Sequence, residues 1–419
     1  MNEEFPALLQ SYKIITETLK GIYLKDSIEL FQKSNNEKYF PITTELVYGI
    51  FRYWKYLDFF VNELSNRPIN QNVRIILFIG IYQLEFLDNV PKELAVFSTV
   101  ELAKKTGNIK AKNLVNAILR SFLRKRVELL KIIDSKANIE RLSIKYSFPI
   151  FLLKEWERSV PYDLEFFIKF MNSKPDIYLK KITDFQSLSS YKGIEKLELY
   201  NNTFKFVGKK RELLKTILDS NQVIVQDIGA QIVSDFLYFG EEKLKILDCC
   251  SAPGWKSLEV LKNKEVTLYM VEQDTKKLNT FRKITKNRDI FGNFKIFHGK
   301  IQEKESLIKD EEFDYLIADV PCSNTGVLRR HPEKKYFISE SSINSIIAEQ
   351  REILKSLYSI MKRGSILIYI TCSLIEQENF GQLLWLKNRY NDIEILSSLY
   401  LWPVEFNSDG FYMGIVRKN

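Results

Sequence analysis

Residues 244–257 constrain this chain more than any other stretch. Leu244-Lys245-Ile246-Leu247 is an apolar run that ends on the acid Asp248. A turn of small residues follows, Cys249-Cys250-Ser251-Ala252-Pro253-Gly254, and helical spacing resumes at Trp255-Lys256-Ser257. The pattern predicts a strand, a tight loop and the start of a helix. Free backbone N–H groups at such a turn, with an acid at the strand end, make a crevice for a nucleotide-like ligand at the C-terminal edge of a parallel sheet.

The chain beyond Val223 supplies the rest of that sheet. Strands are predicted at 244–247, 266–271, 294–297, 315–318, 366–370, 393–396 and 410–416, with helices between them, the clearest from Ser342 to Met361. Alternating strands and helices imply a largely parallel α/β, Rossmann-like sheet of seven strands. The short connection into Phe411-Tyr412 predicts an antiparallel edge hairpin, which a pure dinucleotide-binding sheet lacks.

Upstream the character changes. From about Glu4 to Ile133 apolar residues recur at three and four, as in Val47, Ile50, Phe51, Trp54, Leu57 and Val61, and again in Leu114, Ile118, Phe122 and Leu123. Breaks at Pro41, Arg67-Pro68, Pro91 and Thr106-Gly107-Asn108 divide this into several helices. From Asn138 to about Ser220 the signals are mixed, with a helix around Leu152, Leu153 and Trp156 and short strands at Ile177-Tyr178-Leu179 and Lys196-Leu197-Glu198-Leu199. The expected organisation is therefore an all-α domain over residues 1–135, a small α+β connecting domain over 136–220 and the α/β domain over 221–419. A length of 419 residues fits two or three cores.

Sixty-two Lys and Arg against 53 Asp and Glu give a net charge of +9, which points to a polyanionic partner, although a general lysine bias raises the charge equally well. The cluster Arg120, Arg124, Lys125 and Arg126 is either an RNA contact or a solvated helix end, and Lys209-Lys210-Arg211 carries the same ambiguity. Cys249, Cys250, Cys322 and Cys372 are too few and scattered for a disulfide framework, so a reducing, cytoplasmic setting is expected. No CxxC pair occurs and His298 and His331 are the only histidines, so no metal site is expected. The N-terminus is acidic where a signal peptide would be basic, and no apolar run reaches the length of a membrane span. A soluble protein is expected.

The chemistry lies at the strand ends. Glu272 closes the second predicted strand, where a fold of this kind accepts hydrogen bonds from ribose hydroxyls, so Asp248 and Glu272 together favour an adenosine-containing cofactor. The loop lacks GxGxxG and separates Gly254 from Lys256, which breaks the Walker pattern too. S-adenosylmethionine remains. Two cysteines follow later strand ends, Cys322 in Asp319-Val320-Pro321-Cys322-Ser323 and Cys372 in Thr371-Cys372-Ser373. Adjacent strand tips of a parallel sheet share one crevice, so both thiols are expected to face one bound base.

These residues carry a resemblance. The segment from Gln226 to Tyr412 resembles the Sun (Fmu-type) family of RNA cytosine-C5 methyltransferases through Asp248–Ser257, through Asp319–Pro332, through Thr371-Cys372-Ser373 with Glu378-Asn379, and through Asp409-Gly410-Phe411. The helical N-terminus, with Leu46–Arg52 and Asn116–Arg120, resembles the NusB-like RNA-binding domain of the family's bacterial branch. The resemblance implies a class I methyltransferase domain acting on 16S ribosomal RNA. It implies Cys372 as nucleophile, Cys322 as the thiol that helps eliminate the enzyme, Asp319 on the cytosine edge and Lys256 orienting Asp319. The cofactor would lie on Cys250, Ser251, Ala252, Pro253, Gly254, Lys256, Glu272 and Asp319. Two positions depart from the family, Trp255 where a second glycine is usual and Lys300 where an Asp is usual. The expected substrate is RNA that is single-stranded or locally opened, bound by a monomer, with no membrane or metal. The same chemistry on transfer RNA, and a non-catalytic RNA-binding assembly factor, stand as alternatives.

Overall fold

The computed structural model describes residues 5–34, 37–181, 192–197, 202–208, 211–219, 223–239, 242–250, 254–286 and 292–419. Ser251, Ala252 and Pro253, the Lys209-Lys210 pair and the end of the strand expected at 196–199 lie outside them. The chain forms two compact units, one of Met1–Asn172 with His331–Ile338, the other of Ser173–Arg330 with Ser339–Asn419. The stretch 136–220 is thereby divided, its helices up to Met171 falling in the first unit and its strands, with the helix Arg211–Asp219, in the second.

The first unit is helical. Its helices are α1 (Phe5–Leu19), α2 (Leu24–Ser34), α3 (Phe40–Arg52), α4 (Trp54–Leu64), α5 (Gln71–Phe86), α6 (Lys92–Lys105), α7 (Lys112–Asp134), α8 (Asn138–Tyr146), α9 (Ile150–Ser159) and α10 (Leu164–Met171). The proline positions act as the sequence implies: Pro41 lies in the first turn of α3 and Pro91 is the N-cap of α6, where a missing N–H costs nothing. One break carries no such signal. The apolar series Val47 to Val61 is buried throughout, yet it spans two helices that part at Tyr53, whose backbone (φ −114, ψ 26) leaves the helical region. Continuous 3.6-residue periodicity therefore survives a helix break when both pieces face one core.

The segment His331–Ile338 belongs to this unit and is fastened by a buried cation. Lys335 Nζ donates to Arg52 O at 2.7 Å, Asn172 Oδ1 at 2.8 Å and Tyr146 O at 3.0 Å. Burial, with Arg52 and Lys55 nearby, holds its ammonium well below the usual lysine range.

The second unit contains two sheets. The smaller joins β1 (Ile177–Lys181), β2 (Ile194–Lys196), β3 (Thr203–Phe206) and β4 (Val223–Val225) in the antiparallel order β2-β3-β1-β4. The larger contains β5 (Lys245–Cys249), β6 (Thr267–Glu272), β7 (Asn293–His298), β8 (Tyr315–Asp319), β9 (Ile366–Thr371), β10 (Ile393–Leu401) and β11 (Phe411–Lys418), in the order β10-β11-β9-β8-β5-β6-β7. The core pairings of β5, β6, β7, β8 and β9 are parallel. The hairpin forms as the short connection implies, but of its two strands β10 alone lies at the sheet edge, because β11 inserts antiparallel between β10 and β9.

The strand period decides which residues reach the site. Leu247, Cys249, Tyr269, Leu316 and Tyr369 pack on one face of the sheet, and Ile246, Met270, Ile317 and Ile370 pack on the other with Val233, Val260 and Phe281. Counting on by two along this second face reaches Asp248, Glu272, Asp319 and Cys372. The four predicted site residues therefore share one face because they share one phase of the pleat.

Candidate active site

Chain order fixes where a ligand can sit. From β5 the chain builds outward through β6 to β7, then returns to place β8 on the other flank of β5. The crevice at such a reversal, beyond the carboxyl ends of the strands, is where open α/β sheets bind ligands. The two described ends of the turn after β5 are tightly constrained. Cys250 takes a left-handed conformation (φ 63) and donates its N–H to Val271 O at 2.9 Å. Gly254 (φ 92) precedes the helix Trp255–Val260, and a Cβ there would come within 2.1 Å of the Phe281 ring. Only glycine fits that position.

Three carboxylates line the adjoining strand tips. Asp248 Oδ2 accepts from Ser257 Oγ at 2.6 Å, while Oδ1 is buried with no partner among the described residues. Burial, reinforced by nearby Asp319, pushes this carboxyl up to about 7. An unpaired buried acceptor of this kind gains most from a ligand bearing hydroxyl or ammonium donors. Glu272 is buried at the tip of β6, and its Oε1 accepts the Asp274 N–H at 2.8 Å. Asp319 ends β8 and forms an ion pair with Lys256. Burial pulls the Lys256 ammonium down, but Asp319 more than offsets it, so the lysine stays charged to higher pH than usual. Its Nζ also lies 5.8 Å from the Phe411 ring centre.

The two predicted thiols meet. Cys322 Sγ and Cys372 Sγ are 3.0 Å apart although 50 positions separate them in sequence. Asn324, in a left-handed turn (φ 61), places its Oδ1 3.4 Å from Cys372 Sγ and donates its amide to Cys322 O at 2.7 Å. Gly326 joins three segments: its N–H donates to Cys372 O, its O accepts the Gly410 N–H, both at 2.9 Å, and a Cβ would lie 2.2 Å from Gly410 O. The hydrogen bond with Cys372, together with burial, holds the Cys322 thiol well above the ordinary cysteine range. Cys249 is packed in the core instead, on the opposite face of β5.

Other expectations fare variously. Lys300 is exposed at the start of the helix Ile301–Ile308. Of the basic cluster on α7, Arg120, Arg124 and Lys125 are exposed, whereas Arg126 is engaged by Glu85 through bonds of 2.5 and 2.8 Å. Two further groups were not selected as site residues from the sequence. Arg330 holds both Asp227 (2.6 Å) and Asp409 (2.8 Å), and Glu378 bridges the loops that follow the two cysteines. The charges in Arg329-Arg330 and Glu378-Asn379 were visible, but their partners come from segments distant in sequence. Among the described residues no helix is long and apolar enough to cross a membrane.

Residues 237–416 match the family described as 16S rRNA methyltransferase RsmB/F, and residues 7–124 match the NusB family. A ribosomal RNA small subunit methyltransferase B of Vibrio cholerae is 27% identical over all of this chain and 98% of its own length. The protein of the same name from Escherichia fergusonii is 28% identical over 90% of this chain and 88% of its own. The crystal structure of PH0851 shares the fold, at a TM-score of 0.80 and 18% identity over the full length of both chains. A methyltransferase homolog protein from Pyrococcus horikoshii superposes with a TM-score of 0.56 at 16% identity, covering 68% of this chain and 100% of its own. With its strand-tip residues on one face of a seven-stranded, mostly parallel sheet, the chain is similar to the RsmB/F 16S rRNA methyltransferases over residues 237–416 and to the NusB family over residues 7–124.

Proposed function

We propose that this protein transfers a methyl group from S-adenosylmethionine to carbon 5 of a cytosine in 16S ribosomal RNA, with Cys372 as the nucleophile. The observation that carries this reading is the pair of thiols 3.0 Å apart at neighbouring strand tips, beside the Lys256–Asp319 ion pair. The names of the relatives support an RNA substrate and a small-subunit target.

The residues present fit the cofactor. The unpartnered Asp248 Oδ1 and the Glu272 carboxylate offer acceptors for its amine and ribose hydroxyls, and the turn from Cys250 through Ser251, Ala252 and Pro253 to Gly254 would lie along it. When bound, S-adenosylmethionine supplies an electrophilic methyl group.

The protein's own residues do the rest. Carbon 5 of cytosine is a weak nucleophile. Addition of the Cys372 thiolate to carbon 6 converts the ring to an enamine, which makes carbon 5 nucleophilic. Asp319 accepts from the amino group and, carrying the proton given up by the Cys372 thiol, donates to N3, which stabilises the charge that develops there as sulfur adds, and Lys256 holds Asp319 in place. After transfer the proton on carbon 5 passes to solvent water, its bonding electrons form the carbon 5–carbon 6 double bond, the carbon–sulfur bond breaks and its electron pair returns to Cys372. Cys322 assists this elimination. The base must leave any stack for the thiol to reach it, so the RNA is single-stranded or locally opened. Residues 1–135, with Arg120, Arg124 and Lys125 exposed on α7, hold the RNA; 136–220 connect; 221–419 catalyse.

Incubation of the protein with 16S rRNA and S-adenosylmethionine, followed by bisulfite sequencing, tests the reading. One or a few protected cytosines in 16S rRNA, and none in transfer RNA, are expected. RNA that binds tightly yet shows no new protected cytosine would point instead to a non-catalytic assembly factor.

A further inference from the structure

The two cysteine loops share a single buried carboxylate. Glu378 ends the short turn Glu376–Glu378 and is completely buried. Its Oε2 accepts the N–H of Ser323, the residue after Cys322, at 2.8 Å. Its Oε1 accepts from the hydroxyl of Ser373, the residue after Cys372, also at 2.8 Å. Gln350 supports this arrangement, its Nε2 lying 2.9 Å from Pro321 O and 3.4 Å from Glu378 Oε2.

Counting protons fixes the direction of the network. Ser373 has one hydroxyl hydrogen and spends it on Glu378, so its oxygen must accept from the Ile375 N–H at 3.1 Å and from the Thr325 or Ser323 hydroxyl, each also at 3.1 Å. Thr325 in turn accepts the Leu374 N–H at 2.8 Å. Every hydroxyl hydrogen in the cluster therefore runs toward the carboxylate. A fully satisfied buried network of this kind is rigid, and a partly satisfied one is costly.

We infer that Glu378 is a positioning residue for the two-cysteine chemistry: it locks the loops after β8 and β9 together so that the thiols stay in contact, and its charge keeps the proton of the close pair on Cys322. The inference rests on the roles proposed above for the two cysteines. Its electrostatic half has a definite sign. Burial raises the Glu378 carboxyl against the lowering effect of its Ser323, Ser373 and Gln350 donors, and once ionised it opposes a second negative charge on Cys322, whereas Cys372 faces the Lys256 ammonium. Among the described residues Tyr369, which is neutral, also lies near Cys322, and the Lys256 ammonium is paired with Asp319. The carboxylate thus favours the protonated form of Cys322, whose sulfur lies 3.0 Å from that of Cys372.

The test reads each thiol directly and needs no methyl transfer. Wild type, Glu378→Gln and Glu378→Ala are alkylated with iodoacetamide across a pH series, and modification of Cys322 and Cys372 is quantified separately by peptide mass spectrometry. Glu378→Gln keeps the volume and can still accept from Ser323, so the fold should survive by circular dichroism. Its Cys322 profile should move down by about one pH unit while that of Cys372 moves by less than half as much. Glu378→Ala should show the same shift and also slow formation of a Cys322–Cys372 disulfide by oxidised glutathione about tenfold or more, since the loops are no longer pinned. Unchanged profiles in a folded Glu378→Gln overturn the inference, as does failure of both variants to fold, which would make Glu378 a structural residue only. Shifted profiles in a protein that methylates no cytosine would retain the clamp and overturn the methyltransferase reading instead.

Discussion

Cys372→Ala should lower methyl transfer to 16S rRNA by about four orders of magnitude or more, the scale seen when a covalent nucleophile is removed. The size follows from the ring chemistry. Without a thiolate on carbon 6 there is no enamine, and carbon 5 has no other source of electron density at neutral pH. Cys322 does not substitute, because the hydrogen bond with Cys372, burial and the Glu378 charge all hold its proton on sulfur. The fold should be nearly unaffected, since Cys372 is only half-buried and its backbone carbonyl, which accepts from Gly326, is unchanged. Single-turnover transfer of a labelled methyl group measures the loss, with thermal melting as the control. Residual activity above about one per cent of wild type in a folded variant would be incompatible with a covalent role for this thiol.

Asp319→Asn should cost about two to three orders of magnitude in kcat, with a much smaller change in KM for the RNA. Asparagine keeps the shape at the end of β8 but cannot pass a proton to N3, and that proton matters most as electrons move into the ring. A second consequence is local. Lys256 is largely buried, and Asp319 is what offsets the burial that otherwise pulls its ammonium down. With asparagine in place the lysine should titrate at lower pH, so the remaining activity should fall on the alkaline side where wild type holds steady. Michaelis–Menten kinetics across a pH series separates the two effects. A rise in KM with unchanged kcat would show that Asp319 merely binds the base.

The placement of Asp248, Glu272, Asp319 and Cys372 was legible in the sequence because strand period and chain order are local properties. An alternating β/α pattern puts every strand's C-terminal end on the same edge, and the pleat then decides the face. The hairpin was legible in the same way, from a short connection, but not the insertion of β11 inside the sheet, which depends on which edge β9 leaves open. The helix break at Tyr53 was hidden because the apolar series continues through it. Lys335 was hidden for the opposite reason. In Glu333-Lys334-Lys335 it reads as part of a solvated charge run, and only tertiary structure supplies the three oxygens that bury it. Glu378 belongs to the same class: its acceptors are useful only because Ser323 and Ser373, 50 positions apart, arrive on either side of it. Local pattern announces strand tips, whereas a clamp between two loops exists only after the strands have paired.

Denaturing electrophoresis of Cys322→Ala with labelled 16S rRNA fragments and S-adenosylmethionine tests most directly whether two adjacent thiols divide one reaction. If Cys372 adds to the base and Cys322 assists its release, this variant should accumulate a protein–RNA adduct that survives denaturation, and the Cys322→Ala, Cys372→Ala double variant should not. An adduct from Cys372→Ala in place of Cys322→Ala would reverse the two roles, and the absence of an adduct from both single variants would contradict covalent catalysis by this pair.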